Sequence, residues 1–116
     1  MIDRKRMPDC PVATTVLLVG SKWRLLILRD LMAGTKRFNQ LYHGLENISQ
    51  KVLTENLKAM EEEGIIARKV YPEIPPKVEY SLTELGLKMK PIIDSMATWG
   101  NYYRAARARD KESIAN

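Results

Sequence analysis

One cysteine, one histidine and one phenylalanine occur in 116 residues, and these scarcities remove whole classes of chemistry. A single thiol, Cys10, makes an intramolecular disulfide impossible. His43 stands alone with no cysteine beside it, so no metal site of ordinary ligand spacing can be assembled, and no cofactor is expected. Long apolar runs are missing too. Lys22, Arg24 and Arg29 interrupt the most hydrophobic region, far short of the roughly 20 residues that a membrane-spanning helix needs. The opening Met1-Ile2-Asp3-Arg4-Lys5-Arg6 lacks the apolar core of a secretory signal. These features predict a cytoplasmic protein with no membrane partner. The sequence also has no internal repeat, glycine-rich phosphate loop, nucleophile elbow or paired acids with a matched partner, and an enzyme reading has no residues to rest on.

What is present is a basic, helix-patterned chain. Nineteen Lys and Arg against 14 Asp and Glu give a net charge of +5 and a pI near 9.4, compatible with an anionic partner. The length fits a single domain over residues 1–116, large enough to bury a core of its own. Pro11 suits the first turn of a short helix, capped by Asp9 or Cys10, with Val12, Val16 and Val19 on one side and Gly20 at its end. Ser21 caps a second helix over Lys22 to Ala33, with Trp23, Leu26, Ile27 and Leu31 as its apolar face and Gly34 as the stop. After the polar loop Thr35-Lys36, Asn39 is placed to cap a third helix through Leu41, Tyr42 and Leu45.

The chain is organised around the fourth helix. Ser49 is its N-cap and Gly64 its left-handed stop; Leu53, Leu57 and Met60 share one face, while Gln50, Lys51, Thr54, Glu55 and Lys58 crowd the other. A third helix, a short turn and then a helix with a donor-rich outer face make the helix-turn-helix pattern, whose second helix enters the major groove. Past Gly64 the period changes. Residues 65–71 and 77–82 read as strands of a hairpin, with Val78, Tyr80 and Leu82 facing the helices. Three prolines stiffen the connection, flanked by Arg68, Lys69 and Lys77, which makes a basic wing. Thr83 then caps a last long helix in which Leu85, Met89, Ile92, Met96, Trp99 and Tyr103 recur at heptad spacing, with a kink or split expected at Pro91. That stripe, with Ile93, Tyr102 and the first helix's valines, exceeds what one small core uses and points to a homodimer through the first and last helices, about 1–20 and 84–105. Residues 106–116 read as a flexible tail. The fold class is mainly α with a small β-hairpin wing, a winged helix-turn-helix.

Cys10-Pro11, Gly20-Ser21-Lys22-Trp23, Arg37-Phe38-Asn39-Gln40-Leu41, Ile48-Ser49-Gln50-Lys51-Val52-Leu53-Thr54, Glu63-Gly64-Ile65-Ile66 and Pro75-Pro76-Lys77-Val78-Glu79-Tyr80-Ser81-Leu82-Thr83, in this order and spacing, closely resemble the HxlR-type winged-helix transcriptional regulators, relatives of the MarR group. The resemblance spans about residues 10–103. It implies a homodimer on double-stranded operator DNA, more often a repressor, with an effector left unknown. Gln50, Lys51 and Thr54 fall where similar proteins read base edges. Ser49 with the free amides at its helix start, and Arg37, Lys58, Arg68, Lys69 and Lys77, are placed to meet phosphates. Glu55 stays open between accepting from cytosine and repelling phosphate. Val12, Val16, Ile92, Met96, Trp99 and Tyr103 are the expected dimer contacts. Some family members sense oxidants or electrophiles through a cysteine at the position of Cys10. Here a helix start and Arg4, Lys5 and Arg6 favour a thiolate, whereas Asp9 and the lack of a resolving cysteine favour a passive residue. The Glu61-Glu62-Glu63 run reads as a solvated helix end. A different class of function, a winged-helix module for protein assembly without specific DNA binding, stays compatible with the fold.

Overall fold

The computed structural model describes residues 7–115, with side chains through residue 110; Arg4, Lys5 and Arg6 lie outside the described residues. Helix α1 (Pro11–Val19) starts, as its proline suggests, with Cys10 as N-cap residue. Helix α2 (Lys22–Met32) follows at 86°, and the Ser21 hydroxyl accepts the Arg24 amide at its start. It is the core helix: Ile27, Leu28 and Leu31 are buried, with Trp23 and Leu26 packed partly against them. Among the described residues no single helix is long and apolar enough to cross a membrane.

Two elements differ from the sequence expectation. Lys36, expected in a polar loop, forms with Arg37 a short strand, β1, which pairs antiparallel with the second arm of the hairpin. The sheet therefore has three strands, in the order β1-β3-β2, where β2 is Ile66–Tyr71 and β3 is Lys77–Leu82. A strand of two residues is too short to carry an alternation signal, and only the docking of β3 creates it. The third helix, α3 (Phe38–Gly44), has Arg37 as its N-cap residue instead of Asn39; the Arg37 amide donates to Oε1 of Gln40 at 2.8 Å. With Arg37 held extended in β1, the helix can begin one residue later and no sooner.

Helix α4 (Gln50–Glu62) has the expected ends. Gly64, at φ 78°, donates to the Glu61 carbonyl while Ile65 donates to that of Met60, the paired hydrogen bonds of a Schellman stop. Leu53, Leu57 and Met60 are buried with Leu41, Leu45, Ile48, Ile65 and Ile66. Thr83 sews the wing's base to this turn: its hydroxyl donates to the Gly64 and Ile65 carbonyls and accepts the Gly86 amide.

The last helix is split, one of the two outcomes expected of Pro91. A single turn, α5 (Glu84–Leu87), precedes α6 (Lys90–Ala115). Pro91 thereby sits in the first turn of α6, where its missing N–H costs nothing. Helix continues past residue 105, where the sequence reading ended it, and gives the molecule its 63 Å long axis. Val19 is buried in the chain's own core, and Met89 and Ile93 pack against it, so these three are withdrawn from the surplus apolar surface. The rest stays exposed: Val12, Val16, Leu85, Ile92, Met96, Trp99, Tyr102 and Tyr103, joined by Leu17.

Candidate nucleic-acid interface

The outer face of α4 is built by what holds the inner one. Because Leu53, Leu57 and Met60 are anchored in the core, Gln50, Lys51, Thr54, Glu55 and Lys58 are turned to solvent. The Ser49 hydroxyl accepts the Val52 amide at 3.1 Å, an acceptor role that leaves its O–H free to donate beside the helix-start amides. The helix is braced at its other end. Arg24 Nη1 lies 2.6 Å from Glu63 Oε2 and 2.6 Å from the Leu18 carbonyl oxygen, with the two side chains only 18% and 10% exposed. This corrects the reading of Glu63 as solvated. Arg24 ties α1, α2 and α4 together, and nothing in the local sequence distinguishes it from any other basic residue.

The sheet register sorts the wing's cations onto two faces. Arg68 pairs across β3 with Tyr80, as does Lys36 from the other side; with Thr54, Leu57, Lys58, Glu61 and Tyr80, Arg68 lines a hollow between α4 and the wing. Lys58, Thr54 and Arg68 are thus brought together, and Glu61 joins them. The opposite face carries Arg37, Glu79 and Lys69 side by side, with Tyr71 opposite Lys77 one step along. Here Lys77 Nζ is 3.0 Å from Glu79 Oε1, and the Tyr71 hydroxyl donates to Glu79 Oε2 at 3.1 Å. The ammonium groups of Lys69 and Lys77 each sit 4.9 Å from the centre of the Tyr71 ring. The hydrogen bond from Lys77, and then those of Tyr71 and the charges of Lys77 and Arg37, hold the Glu79 carboxyl below its ordinary 4.5 in spite of some desolvation. A depressed carboxyl contributes stability above its unfolded value and loses it as pH falls through the folded one; the cluster is therefore complete at neutral pH. Tyr71 and Glu79 were not singled out from sequence. The signal existed in the alternation of β3, but the partner strand's register was needed to use it.

Around the hairpin tip Ile74 is fully exposed and the Ile74–Pro75 peptide is cis. Cys10 is exposed at the start of α1, the helix that also carries the exposed Val12 and Val16. Its carbonyl accepts the Thr14 amide and hydroxyl.

This arrangement, a braced helix with a polar outer face beside a two-faced basic hairpin, agrees with comparison to known proteins. Residues 18–108 match the HxlR-like helix-turn-helix family. The chain belongs to that family. It is a transcriptional regulator of the HxlR type, as are its relatives, and the family is one of regulators and not of enzymes. It is 43% identical over 110 residues to the HTH-type transcriptional regulator YdeP of Bacillus subtilis, covering 88% of this chain and 86% of YdeP. Among solved structures, the redox regulator HypR in its reduced form superposes with a TM-score of 0.79 at 41% identity, over 82% of this chain and 94% of HypR. Diamide-treated YodB from B. subtilis superposes at 0.68 with 39% identity, over 81% of this chain and 94% of YodB. The winged helix-turn-helix expected of an HxlR-type chain is the fold observed.

Proposed function

We propose that this HxlR-type regulator is a homodimeric, sequence-specific DNA-binding repressor. The observation that carries the reading is the capped and braced α4, whose exposed N-terminal half presents Gln50, Lys51 and Thr54 beside a basic wing. In this reading Gln50, Lys51 and Thr54 meet base edges in the major groove. Ser49 and the α4 amides beside it, with Arg37, Lys58, Arg68, Lys69 and Lys77, meet phosphates and set the register. The two copies pair through α1 and α6, so that their α4 helices fall about 34 Å apart on a near-palindromic site. Selection of bound fragments from genomic DNA supplies the operator. Lys51→Glu is then expected to abolish operator binding in a mobility-shift assay with the dimer intact. Wild-type affinity is expected to fall steeply with salt, by about 0.9 log units per log unit for each phosphate neutralised. A shallow slope, or unchanged binding by Lys51→Glu, defeats the reading.

Cys10 is, in the same proposal, the thiol through which the repressor responds to oxidants. The similarity to HypR, solved in reduced and oxidised forms, and to diamide-treated YodB supports it, as does the exposure of Cys10 at the start of α1. With no second cysteine in the chain, the product is a disulfide between subunits or with a small thiol. Diamide is expected to release wild-type protein from the operator and leave Cys10→Ser bound; equal responses from the two sink the idea.

A further inference from the structure

We propose that Glu79 is a specificity-determining residue of the wing: a built-in counterion that occupies Lys77 and Tyr71 and screens Arg37 and Lys69, weakening the wing's hold on duplex DNA that lacks the operator sequence. The inference rests on the DNA-binding reading above and adds to it a residue whose charge opposes the ligand.

Four observations meet at this carboxylate. It is the acidic residue in the middle of the sheet face that carries Arg37, Lys69 and Lys77. Each of its oxygens has its own partner, Lys77 at 3.0 Å and the Tyr71 hydroxyl at 3.1 Å. The Lys77 side chain is only 27% exposed while so paired, and its ammonium also rests over the Tyr71 ring. Glu79 is held ionised by these same neighbours. A phosphate approaching Lys77 thus finds a carboxylate already in its place and is repelled by it.

On random DNA the whole of binding is phosphate attraction, so a fixed negative charge subtracts from nearly everything there is. On the operator, base contacts from α4 add to the total, and a wing whose lysine and tyrosine are already oriented needs less ordering to dock. The same charge therefore costs the wrong DNA more than the right one, which is how a repulsive element raises selectivity.

Glu79→Gln removes the charge at nearly constant shape, and Glu79→Asp keeps it. Affinities of wild type and both variants are measured across a salt series for two probes, a random-sequence duplex and the duplex enriched by selection. The expected result is that Glu79→Gln steepens the salt slope on the random duplex by about 0.9, which near 0.1 M salt is about an eightfold gain in affinity. Operator affinity rises less, so the ratio of operator to random binding falls about threefold or more, and Glu79→Asp stays nearer wild type in slope. Equal gains on both probes, an unchanged or shallower slope, or an Asp variant that behaves like Gln overturns the proposal. Failure of the wild-type protein to bind the random duplex at low salt defeats the DNA-binding reading itself, and is visible before any variant is compared. Glu79 lies on the sheet face away from the core, so thermal melts of Glu79→Gln should stay cooperative and show only the small loss that follows from weakening its bonds to Lys77 and Tyr71.

Discussion

Gly86 shows how much a single position can decide. An added Cβ there would collide with the Ile65 carbonyl oxygen and press on Leu82, and the Gly86 amide is already donated to Thr83. Neither the carbonyl, which accepts two hydrogen bonds from Thr83, nor the α5 turn can move without breaking the joint between the wing and the α4 stop. Gly86→Ala is therefore expected to cost about 1–3 kcal/mol, the usual penalty of overpacking, read as a lower denaturant midpoint with unchanged slope. Gly100, beside which no atom lies within 4 Å of an added Cβ, is the matched control and should tolerate alanine. Sequence distinguishes Ser49, Gly64 and Thr83 because their capping and stop roles are local, one turn of chain long. Gly86 and Arg24 are invisible in it because Ile65 and Glu63, which decide their roles, are distant in the chain, and Glu79 because Tyr71, Arg37 and Lys69 reach it only through strand register.

At the scale of elements, α4 is held by a charged brace as well as by its apolar face. Glu63 closes α4, and Arg24 joins it to α2 and to the end of α1. Arg24→Met keeps the side chain's bulk and leaves a mostly buried carboxylate and the Leu18 carbonyl without their donor, at an expected cost of about 1.5–3 kcal/mol. Glu63→Leu in the same background should return part of that loss, since replacing both members of a shielded pair costs less than orphaning one. A double-mutant cycle from chemical denaturation measures the coupling, and additive effects would show that the pair contributes nothing as a pair. The brace also reaches the last turn of α1 through the Leu18 carbonyl. The split at Pro91 is the element-scale feature most readable in advance, because a proline inside a helical pattern has few places to go.

The whole molecule is elongated, 63 × 38 × 24 Å, with the helix-turn-helix and wing packed together and α6 extending away. Along that helix and α1 an apolar surface stays uncovered, with Trp99 66%, Tyr102 71% and Val12 71% exposed, and Trp99 stacked on Tyr103 at 5.5 Å. Trp99 is absent from the chain's own core. Trp99→Glu is accordingly expected to leave the fold intact, by far-UV circular dichroism, while weakening self-association by about 2 kcal/mol or more, as loss of a tryptophan anchor does at other interfaces. Sedimentation equilibrium checks this; a variant that pairs as tightly as wild type would place the dimer seam elsewhere.

Sequence alone determined whatever depends on neighbours within a few residues or on a repeating face: the caps Ser21, Ser49 and Thr83, the stops Gly34 and Gly64, the inward side of α4, the two arms of the wing, and the proline break. It also carried the family, because the family's motifs are strings of such local features. Tertiary structure alone decided which distant groups meet. It made a strand of Lys36–Arg37, took Met89 and Ile93 into the core, gave Glu63 a partner, and set Arg68 on one face of the wing with Lys69 and Lys77 on the other. The physical reason is that helix period and capping are written in consecutive residues. Strand register and ion pairing are set instead by how separate elements close on a shared core.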